Sequence, residues 1–546
     1  MKKICAVSKK EFEIADEELE LYQRLGVPPP ACAPEERARR RLAWRNERIL
    51  YSRPCDATGK VIVSIFHKDQ PFPVYDQEYW WSDNWDPLDY GRDFDFTRPF
   101  FEQFVELFKV TPQCSLRCPQ SENSEFTNQC EKNKDCYLVF CCNESRECLY
   151  SMWLQGCEDC LDCTYLEASE LCYEVLNGKN CYRCTFSQNL QNCSECHFCR
   201  DCIGCSNCIG CVNLRNKEYC FMNEKLTPEA YKQKVAELEL DRHSKVQAFK
   251  VIFQRYSAQF PYKFYNGKNN EGSTGDYIEH TKHANSCFNS RHSEHIAYCR
   301  DAWRARNCLD LTETLQQDFC IELEGCYDNN GSGFCAKISQ VADLWYCSHC
   351  FNSHDLFGCI GLKHHKYCIF NKEYARDEYL KLREKIVAHM QATGEWGEYF
   401  PIAASPFAYN ESVAYEYFPM TEQAAVDQNL GWRTPKDDLS TKGATYQNPD
   451  SIHEVDDAVL KEVFVCEDTQ RPYKLQQVEL AFYRKLALPL PRLHHDERHR
   501  RRMFLRNTRQ LRSGHCAVCE KAFQTSFAPD SAATVVCEDC YNETVE

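Results

Sequence analysis

Cysteines recur at intervals of twelve residues in the middle of the chain, and this period restricts the fold more than any other feature. The first series consists of Cys136, Cys148, Cys160, Cys172, Cys184, Cys196, Cys208 and Cys220. Small or apolar residues also stand three positions away from this series. A helix favours a spacing of 3.6 residues and a flat strand a spacing of 2. A spacing of 3 that closes after 12 predicts a narrow β-solenoid, in which every third side chain enters a thin core.

A second cysteine series with the same period follows the first. It includes Cys287, Cys299, Cys335, Cys347 and Cys359. The two series end alike, because GCVNLRNKEYC (from residue 210) and GCIGLKHHKYC (from residue 358) align without a gap. An amphipathic helical pattern comes after each of them. The sequence therefore predicts a duplicated unit, a solenoid followed by helices that cover its open end.

The chemistry of these thiols allows two interpretations. Cysteine stands at every third position from Cys193 to Cys211, and Cys347 and Cys350 form a C-x2-C pair. Such thiols can hold a metal cluster or act as a redox pair. Buried thiols also behave as small hydrophobes. The solenoid period already explains the spacing, so we favour core packing and keep a metal or redox role as the alternative.

The two ends of the chain are copies of each other. A shift of 461 residues aligns them without gaps and superimposes Cys55 on Cys516, Tyr22 on Tyr483 and the RN pair at 45–46 on that at 506–507. This predicts two small α+β modules with the same topology. We refer to residues 1–78 as the N-terminal module and to residues 461–546 as the C-terminal module.

The C-terminal module contains the clearest chemical motif. CAVC (516–519) and CEDC (537–540) provide Cys516, Cys519, Cys537 and Cys540. Four thiolates in two C-x2-C knuckles are typical of a closed tetrahedral zinc site, which is structural rather than catalytic. We therefore predict one structural zinc ion in a zinc ribbon.

The N-terminal module has lost most of this motif. Only Cys55 remains, while Thr58, Asp76 and Tyr79 stand at the other ligand positions. A metal shared by Cys5, Cys32 and Cys55 is one hypothesis. We favour relict buried thiols.

Arginines are concentrated in both modules and form the candidate nucleic-acid surface. They are Arg37, Arg39, Arg40, Arg41, Arg498, Arg500, Arg501, Arg502, Arg506 and Arg509. Arginine is suited to phosphate. The net charge of −16 argues against a protein that coats nucleic acid as a whole. The alternative is that these arginines pair with acidic residues of the chain itself.

Residues 79–104 alternate tryptophans with aspartates. Trp80, Trp81 and Trp85 can form a cation or sugar site together with the neighbouring carboxylates. We favour a segment that wraps around the solenoid and packs its aromatic side chains against it.

No catalytic signature is present. A phosphate-binding glycine loop, a G-x-S-x-G elbow and an H-E-x-x-H motif are all missing from the sequence. His292, His295 and His354 are candidates for a site between coils, but nothing beyond their presence supports one. The first residues, MKKICAVSKKEF, have no apolar run behind the basic tip, so we expect neither a signal peptide nor a membrane span. The expected location is the reducing cytoplasm.

Several motifs resemble a known family. They are the C-x2-C knuckles, RNER (45–48), YWWSDNWDPLDYGRDFDFTRPFFEQF (79–104), LRNKEYC (214–220) and TGEWGEYFPIAASPFAYNE (393–411). On these motifs, over nearly its full length, the chain resembles an uncharacterised family of cysteine-rich zinc-ribbon proteins encoded by uncultivated, small-genome bacteria. The resemblance implies intact ribbons at both ends, and this chain departs from that pattern at the first ribbon. It implies no particular activity.

The predicted fold is mainly β, with two narrow twelve-residue solenoid arrays that are each followed by α-helices and are flanked by zinc-ribbon-type α+β modules. The predicted segments are the N-terminal module (1–78), a wrapping segment (79–129), the first array (130–221), a helical linker (222–280), the second array (281–370), a helix (371–395), an extended linker (396–460) and the C-terminal module (461–546). The predicted function is a non-enzymatic zinc-binding scaffold for an unidentified protein partner. A nucleic-acid- or ribosome-associated protein is the first alternative, and a thiol-rich metal or redox protein is the second.

Overall fold

A computed structural model describes residues 1–434 and 446–545, without the side chains of residues 313–320, 324 and 326–330. Part of the predicted linker 396–460 and the side chains of Cys320 and Cys326 therefore lie outside the described residues. Strands take up about 28% of the structure and helices about 26%. The prediction of a mainly β protein thus fits the arrays and not the whole chain.

Parallel pairing at an offset of twelve residues organises the first array. Cys196 pairs with Cys208, and Cys208 pairs with Cys220. Isolated parallel bridges with the same offset begin at Glu122, before the predicted boundary at residue 130. The strands of this sheet are Met152–Gln155, Thr164–Glu167, Tyr173–Lys179, Thr185–Gln188, Ser194–His197, Ser206–Ile209, Glu218–Phe221 and the antiparallel Glu224–Lys225. The pairing register therefore equals the period of the cysteines.

The second array has the same register. Ala342 pairs with His354, and His354 pairs with Lys366. The strands of this sheet are Gly275–Asp276, Lys282–Asn285, Cys287–Phe288, Glu294–Ala297, Arg300–Leu309, Thr312–Ile321, Glu324–Asn330, Ala336–Trp345, His354–Phe357, Lys366–Ile369 and Lys372–Glu373. A two-stranded sheet precedes them and consists of Gly267–Lys268 and Ile278–Glu279. This array thus begins before the predicted boundary at residue 281.

Every third residue of the first array has a left-handed backbone, although most of these residues are not glycine. Asp135, Leu138 and Cys141 have φ values of 53°, 50° and 55°. An L-residue in this region costs about 1–2 kcal/mol. Hydrogen bonds between successive twelve-residue repeats offset this cost, as when the Asp135 amide donates to the carbonyl of Glu122 (3.1 Å). Those bonds need a neighbouring repeat, so a single repeat would lack this compensation.

Serine and cysteine fill the core because each supplies an acceptor to an inward-pointing amide. The Ser151 hydroxyl oxygen accepts the amide of Cys163, one twelve-residue repeat later, at 3.0 Å. The Cys335 sulfur accepts the amide of Cys347 in the same way (3.4 Å). Cysteine thiols also donate to carbonyls two residues earlier, as Cys160 does to Glu158 (3.3 Å). The repeated core residues are therefore small and polar for two reasons, limited space and the need to pair buried amides.

Replacing Ser151 by alanine is expected to lower the free energy of unfolding by about 1–3 kcal/mol, because the buried amide of Cys163 loses its acceptor. Ser151→Cys should lose less, since the sulfur can still accept. Urea denaturation followed by circular dichroism measures both values. Ser194→Ala, on the outer side of the same array, is the control. Equal losses for the alanine and cysteine variants would show that the acceptor is irrelevant.

The two terminal modules have the same order of elements. In the N-terminal module these are Lys2–Ile4, Glu11–Glu13, Asp16–Arg24, Pro34–Ala43, Tyr51–Pro54, Val61–Ser64, Val74–Tyr75 and Gln77–Trp81, the last of which extends past the predicted boundary at residue 78. In the C-terminal module they are Phe464–Val465, Pro472–Tyr473, Gln477–Leu486, His495–Phe504, Arg512–His515, Ala522–Thr525, Val535–Val536 and Glu538–Val545. Their first two helices begin 461 residues apart, which is the shift that aligns the two sequences.

Further helices connect these parts. They are the α-helices Phe100–Val110, Pro228–Glu237, His243–Ser257, Arg376–Thr393, Val413–Tyr417 and Glu422–Asp427, with 3-10 turns at Pro87–Tyr90, Ile402–Ala404, Tyr409–Glu411, Ile452–Glu454 and Asp457–Lys461. The extended linker predicted for residues 396–460 is therefore wrong for its described part. Tyr409, Val413 and Ala414 pack against Leu42 and Ala43, which fixes this segment on the N-terminal module.

Each module contacts both halves of the chain. In the N-terminal module, Val74–Tyr75 pairs with Gln113–Cys114, just before the first array, while Arg37 binds Asp310 of the second array. The C-terminal module reverses this arrangement. Its strand Val535–Val536 pairs with Tyr262–Lys263, just before the second array, and its helix His495–Phe504 faces the first array. Each module thus contacts one array through a helix and pairs a strand with the segment that precedes the other array. We refer to this arrangement as crosswise docking.

Candidate metal centre

Four cysteine sulfurs converge in the C-terminal module. Cys516 and Cys519 lie in the turn between two paired strands, and Cys537 and Cys540 lie at the start of the last helix. All four sulfurs lie within 4.8 Å of one another, with 3.6 Å between those of Cys519 and Cys537. A tetrahedral site with Zn–S bonds of 2.3 Å places its sulfurs about 3.8 Å apart. The four residues predicted from the sequence therefore fit one tetrahedral metal ion.

Backbone amides prepare this site for a cation. The Cys516 sulfur accepts the amides of Val518 (3.5 Å), Cys519 (3.5 Å) and Cys537 (3.3 Å). Burial opposes ionisation of this thiol, but the amide donors prevail and lower the pKa of Cys516 to about 6. A thiolate is the form that binds a metal, so these amides favour the ligand state of Cys516. At Cys519 the Lys521 amide also favours the thiolate, but hydrogen bonds with the thiols of Cys516 and Cys537 outweigh it and raise the pKa of Cys519.

The metal centre lies where the two arrays meet. Lys263, which precedes the second array, forms an ion pair with Glu538 at 2.6 Å. The Tyr541 hydroxyl donates to the side-chain oxygen of Asn213, near the end of the first array, at 3.1 Å. An ion that orders the knuckles would therefore also fix the junction between the arrays, which is a structural role.

The N-terminal module does not repeat this centre. The Cys55 sulfur accepts the Asp76 amide at 3.2 Å, so the knuckle geometry remains after its other ligands are gone. Cys5 packs with Cys32 in one cluster, whereas Cys55 belongs to another. These three thiols do not form a metal-binding group within the described part of the chain, so the hypothesis of a shared metal is wrong.

His494, His495 and Asp496 form a second cluster of possible metal ligands, which the sequence analysis missed although the three residues are adjacent. The carboxylate of Asp496 already binds Arg48 (3.0 Å) and Arg471 (2.8 Å). Two guanidinium groups beside the carboxylate repel a cation. The cluster is therefore part of an ion-pair network.

The array thiols are buried and bonded to the backbone. Cys193 donates to Gln191 and Cys199 to His197, each at 3.4 Å. No disulfide joins any cysteine whose side chain is described, including Cys347 and Cys350. None of the array cysteines whose side chains the structure describes belongs to a metal-binding group. These observations agree with core packing.

Five of the ten arginines proposed for nucleic-acid binding are buried, and for them that prediction is wrong. Arg37 and Arg41 face Asp310, and Arg498 and Arg502 face Asp162, with all four side chains at most 6% exposed. The others bind inside the protein as well. Arg40 binds Glu322 and Glu398, Arg509 binds Asp301, and Arg506 stacks on Tyr165 and Tyr277. Buried guanidinium groups cannot reach a phosphate backbone.

The remaining arginines also have acidic partners. Arg500 and Arg501 are 66% and 52% exposed, and both bind Glu497. Arg39 binds Glu36 at 3.0 Å. The alternative interpretation, pairing with acidic residues of the chain itself, is therefore confirmed for this set.

The tryptophans of the wrapping segment enclose a lysine of the same chain. The Lys363 ammonium lies 4.7 Å from the Trp80 ring, 5.5 Å from Trp81 and 5.4 Å from Trp85. Lys363 also donates to the Trp80 carbonyl at 2.7 Å. The predicted cation site is thus filled internally and anchors residues 79–104 on the second array.

The three candidate histidines contact other histidines or an aspartate. His292 stacks on His280 and His295 on His283, with 5.0 Å between ring centroids, and all four side chains are exposed. His354 binds Asp355 at 2.7 Å.

The sequence matches no protein-family model and no curated protein. Among the described residues, no helix is long and apolar enough to cross a membrane. The function therefore has to be inferred from the metal centre and the surfaces of the arrays.

Proposed function

We propose that the protein is a non-enzymatic, zinc-binding scaffold of the cytoplasm, built on two β-solenoids with twelve-residue coils. The parallel register of twelve in both arrays supports the solenoid interpretation. A ligand set of four cysteines supports zinc as the metal and a zinc ribbon as the C-terminal module. The resemblance to cysteine-rich zinc-ribbon proteins remains a prediction and is consistent with this proposal.

The open outer face of the first array is the observation that carries this proposal. The opposite face is covered, since Leu149, Leu161 and Tyr173 pack against the C-terminal module. The outer face carries exposed polar side chains from successive coils, which repeat about every 4.8 Å. Among them are Lys132, Lys134, Glu144, Arg146, Glu147, Glu170, Asn180, Tyr182 and Asn192. Regular extended faces of this kind are the usual binding surfaces of repeat proteins.

Reversing charge on this face tests the proposal. Glu147→Lys combined with Glu170→Lys changes two exposed side chains for which no ion pair is observed among the described residues. We expect affinity capture from the native host to yield a protein partner with the wild type, and at least ten-fold less of it with this variant.

Glu378→Lys with Glu384→Lys, on the exposed side of the helix Arg376–Thr393, is the matched control and should keep the partner. Equal capture by both variants would overturn the proposed binding face. Capture of RNA alone would favour the nucleic-acid alternative.

A further inference from the structure

The end of the helix His495–Phe504 is bare, whereas the same part of its N-terminal copy is buried. Phe504 is 84% exposed and Leu505 is 60% exposed. The shift of 461 residues places these two side chains on Ala43 and Trp44, which are 1% and 3% exposed. Single exposed apolar residues are common. These two are adjacent, and they occupy a face that is buried in the other module.

The covering segment, residues 394–433, follows the second array and buries this face of the N-terminal module. Tyr409 and Val413 of this segment pack in one cluster with Ala43. The Val413 amide also donates to the carbonyl of Arg45 at 2.8 Å, where a short helix begins. Apolar side chains and a backbone hydrogen bond therefore hold the cover in place.

An arginine of the N-terminal module also binds the covering segment. Arg39 keeps its ion pair with Glu36 and still donates from Nη1 to the side-chain oxygen of Gln428 at 3.1 Å. Its copy in the C-terminal module, Arg500, likewise pairs with Glu497 and is 66% exposed. The pairing within the module therefore leaves the Arg500 guanidinium accessible to a segment on this face.

Within the described residues, the C-terminal module has no covering segment of its own. After the first array, residues 258–266 alone connect the helix His243–Ser257 to the strand Gly267–Lys268. Their strand Tyr262–Lys263 already pairs with Val535–Val536. An occupant of the bare face therefore has to come from elsewhere.

A second copy of the chain is a poor occupant. Its covering segment is engaged on its own N-terminal module, and contact between two bare faces would bury little surface. An aromatic side chain buries about 150–250 Å², whereas a stable interface buries about 800 Å² on each partner. A short segment of another protein fits better, because it can follow the end of the helix and also reach Arg500.

We propose that the bare face at residues 503–507 docks a short apolar segment of a partner protein. Aromatic or aliphatic side chains of that segment cover Phe504 and Leu505, and the first amide of its helix donates to the carbonyl of Arg506, the copy of Arg45. Helices that lay an apolar face on a partner are a common mode of recognition. The site lies on the C-terminal module and not on the outer face of the first array, so it does not depend on the proposed binding face.

A fluorescent peptide with the sequence of residues 399–418 is the probe, because it reproduces the part of the covering segment that touches the N-terminal copy of this face. Its fluorescence anisotropy should show saturable binding to the full-length protein. Phe504→Ser combined with Leu505→Ser should weaken this binding at least ten-fold, and this variant should fold as the wild type does because both side chains are exposed. Val478→Ser, at another exposed apolar residue of the same module, should bind the peptide as the wild type does.

Three outcomes of this titration would overturn the inference. They are the absence of saturable binding, equal binding by the double variant, and equal weakening by Val478→Ser.

Photo-cross-linking in the native host identifies the source of the segment. With p-benzoylphenylalanine in place of Phe504, we expect a cross-link to an apolar segment of another protein, and at least ten-fold less of it when Leu505→Ser is added. A cross-link to a second copy, or to residues 435–445 of the same chain, contradicts the proposal. So does a yield no higher than that obtained with the same group in place of Phe96, which is also exposed.

Discussion

Replacing Cys537 by serine is expected to abolish metal binding and to unfold the C-terminal module. The tetrahedral set loses one of four thiolates, and the bond from the Cys537 amide to the Cys516 sulfur holds only while the second knuckle is in place. We expect elemental analysis to change from one zinc ion per chain to about none. Hydrogen exchange should increase in Val535–Val536 and in its partner Tyr262–Lys263, because their pairing depends on the knuckle.

Cys55→Ser provides the matched control, because Cys55 stands in the N-terminal copy at the position of Cys516. It should leave the metal content unchanged. Retention of one zinc ion by Cys537→Ser would show that the four cysteines are not the ligands. Several ions per wild-type chain would instead support metal binding by the array thiols.

Replacing Asp162 by alanine is expected to lower the free energy of unfolding by about 3–5 kcal/mol, the usual effect of removing one partner from a buried ion pair. Asp162 is fully buried and binds both Arg498 (2.8 Å) and Arg502 (2.7 Å). Its loss leaves two guanidinium groups inside the contact between the first array and the C-terminal module. Urea denaturation with circular dichroism measures the change.

Asp310→Ala, the equivalent change in the second array, should cost a similar amount. A second buried carboxylate remains in each case, since Glu322 lies within 3.9 Å of both Arg37 and Arg41 and Glu479 lies 3.3 Å from Arg498. Glu147→Ala, on the exposed face, should have little effect. If the free energy of unfolding of Asp162→Ala lies within about 1 kcal/mol of that of the wild type, these buried ion pairs do not hold the C-terminal module on the first array.

The cysteine period predicted the pairing register because, in both arrays, one period of sequence corresponds to one register step. Cys196 and Cys208 are neighbours in the series and in the sheet. The duplication of the termini likewise predicted where the module helices repeat, as at Asp16–Arg24 and Gln477–Leu486. Local repetition determines local structure in both cases. The four metal-site cysteines were predicted for the same reason, since the two cysteines of each C-x2-C pair lie close together in the sequence.

Repeats in the sequence do not predict which distant residues pair. Arg37 and Asp310 lie 273 residues apart, and nothing in either local sequence shows that they meet. The arginines were therefore assigned to the surface by their charge alone. One signal was available, since Asp162 and Asp310 occupy equivalent positions of the two arrays, as Arg498 and Arg37 do in the two modules. Lys363 was missed for the same reason, because its tryptophan partners belong to a distant segment.

The crosswise docking of the modules has a consequence for how the protein is made. Asp162 and its partner Arg502 are separated by 340 residues. At about 5–20 residues per second, synthesis of the intervening chain takes roughly 20–70 s. The first array is therefore made that long before Arg502 is available to pair with Asp162. During that interval the carboxylate of Asp162 stays hydrated, and the face of the first array that the C-terminal module later covers stays exposed to solvent. Holding factors that shield nascent chains are therefore expected to matter more for this protein than for one whose domains are completed in order.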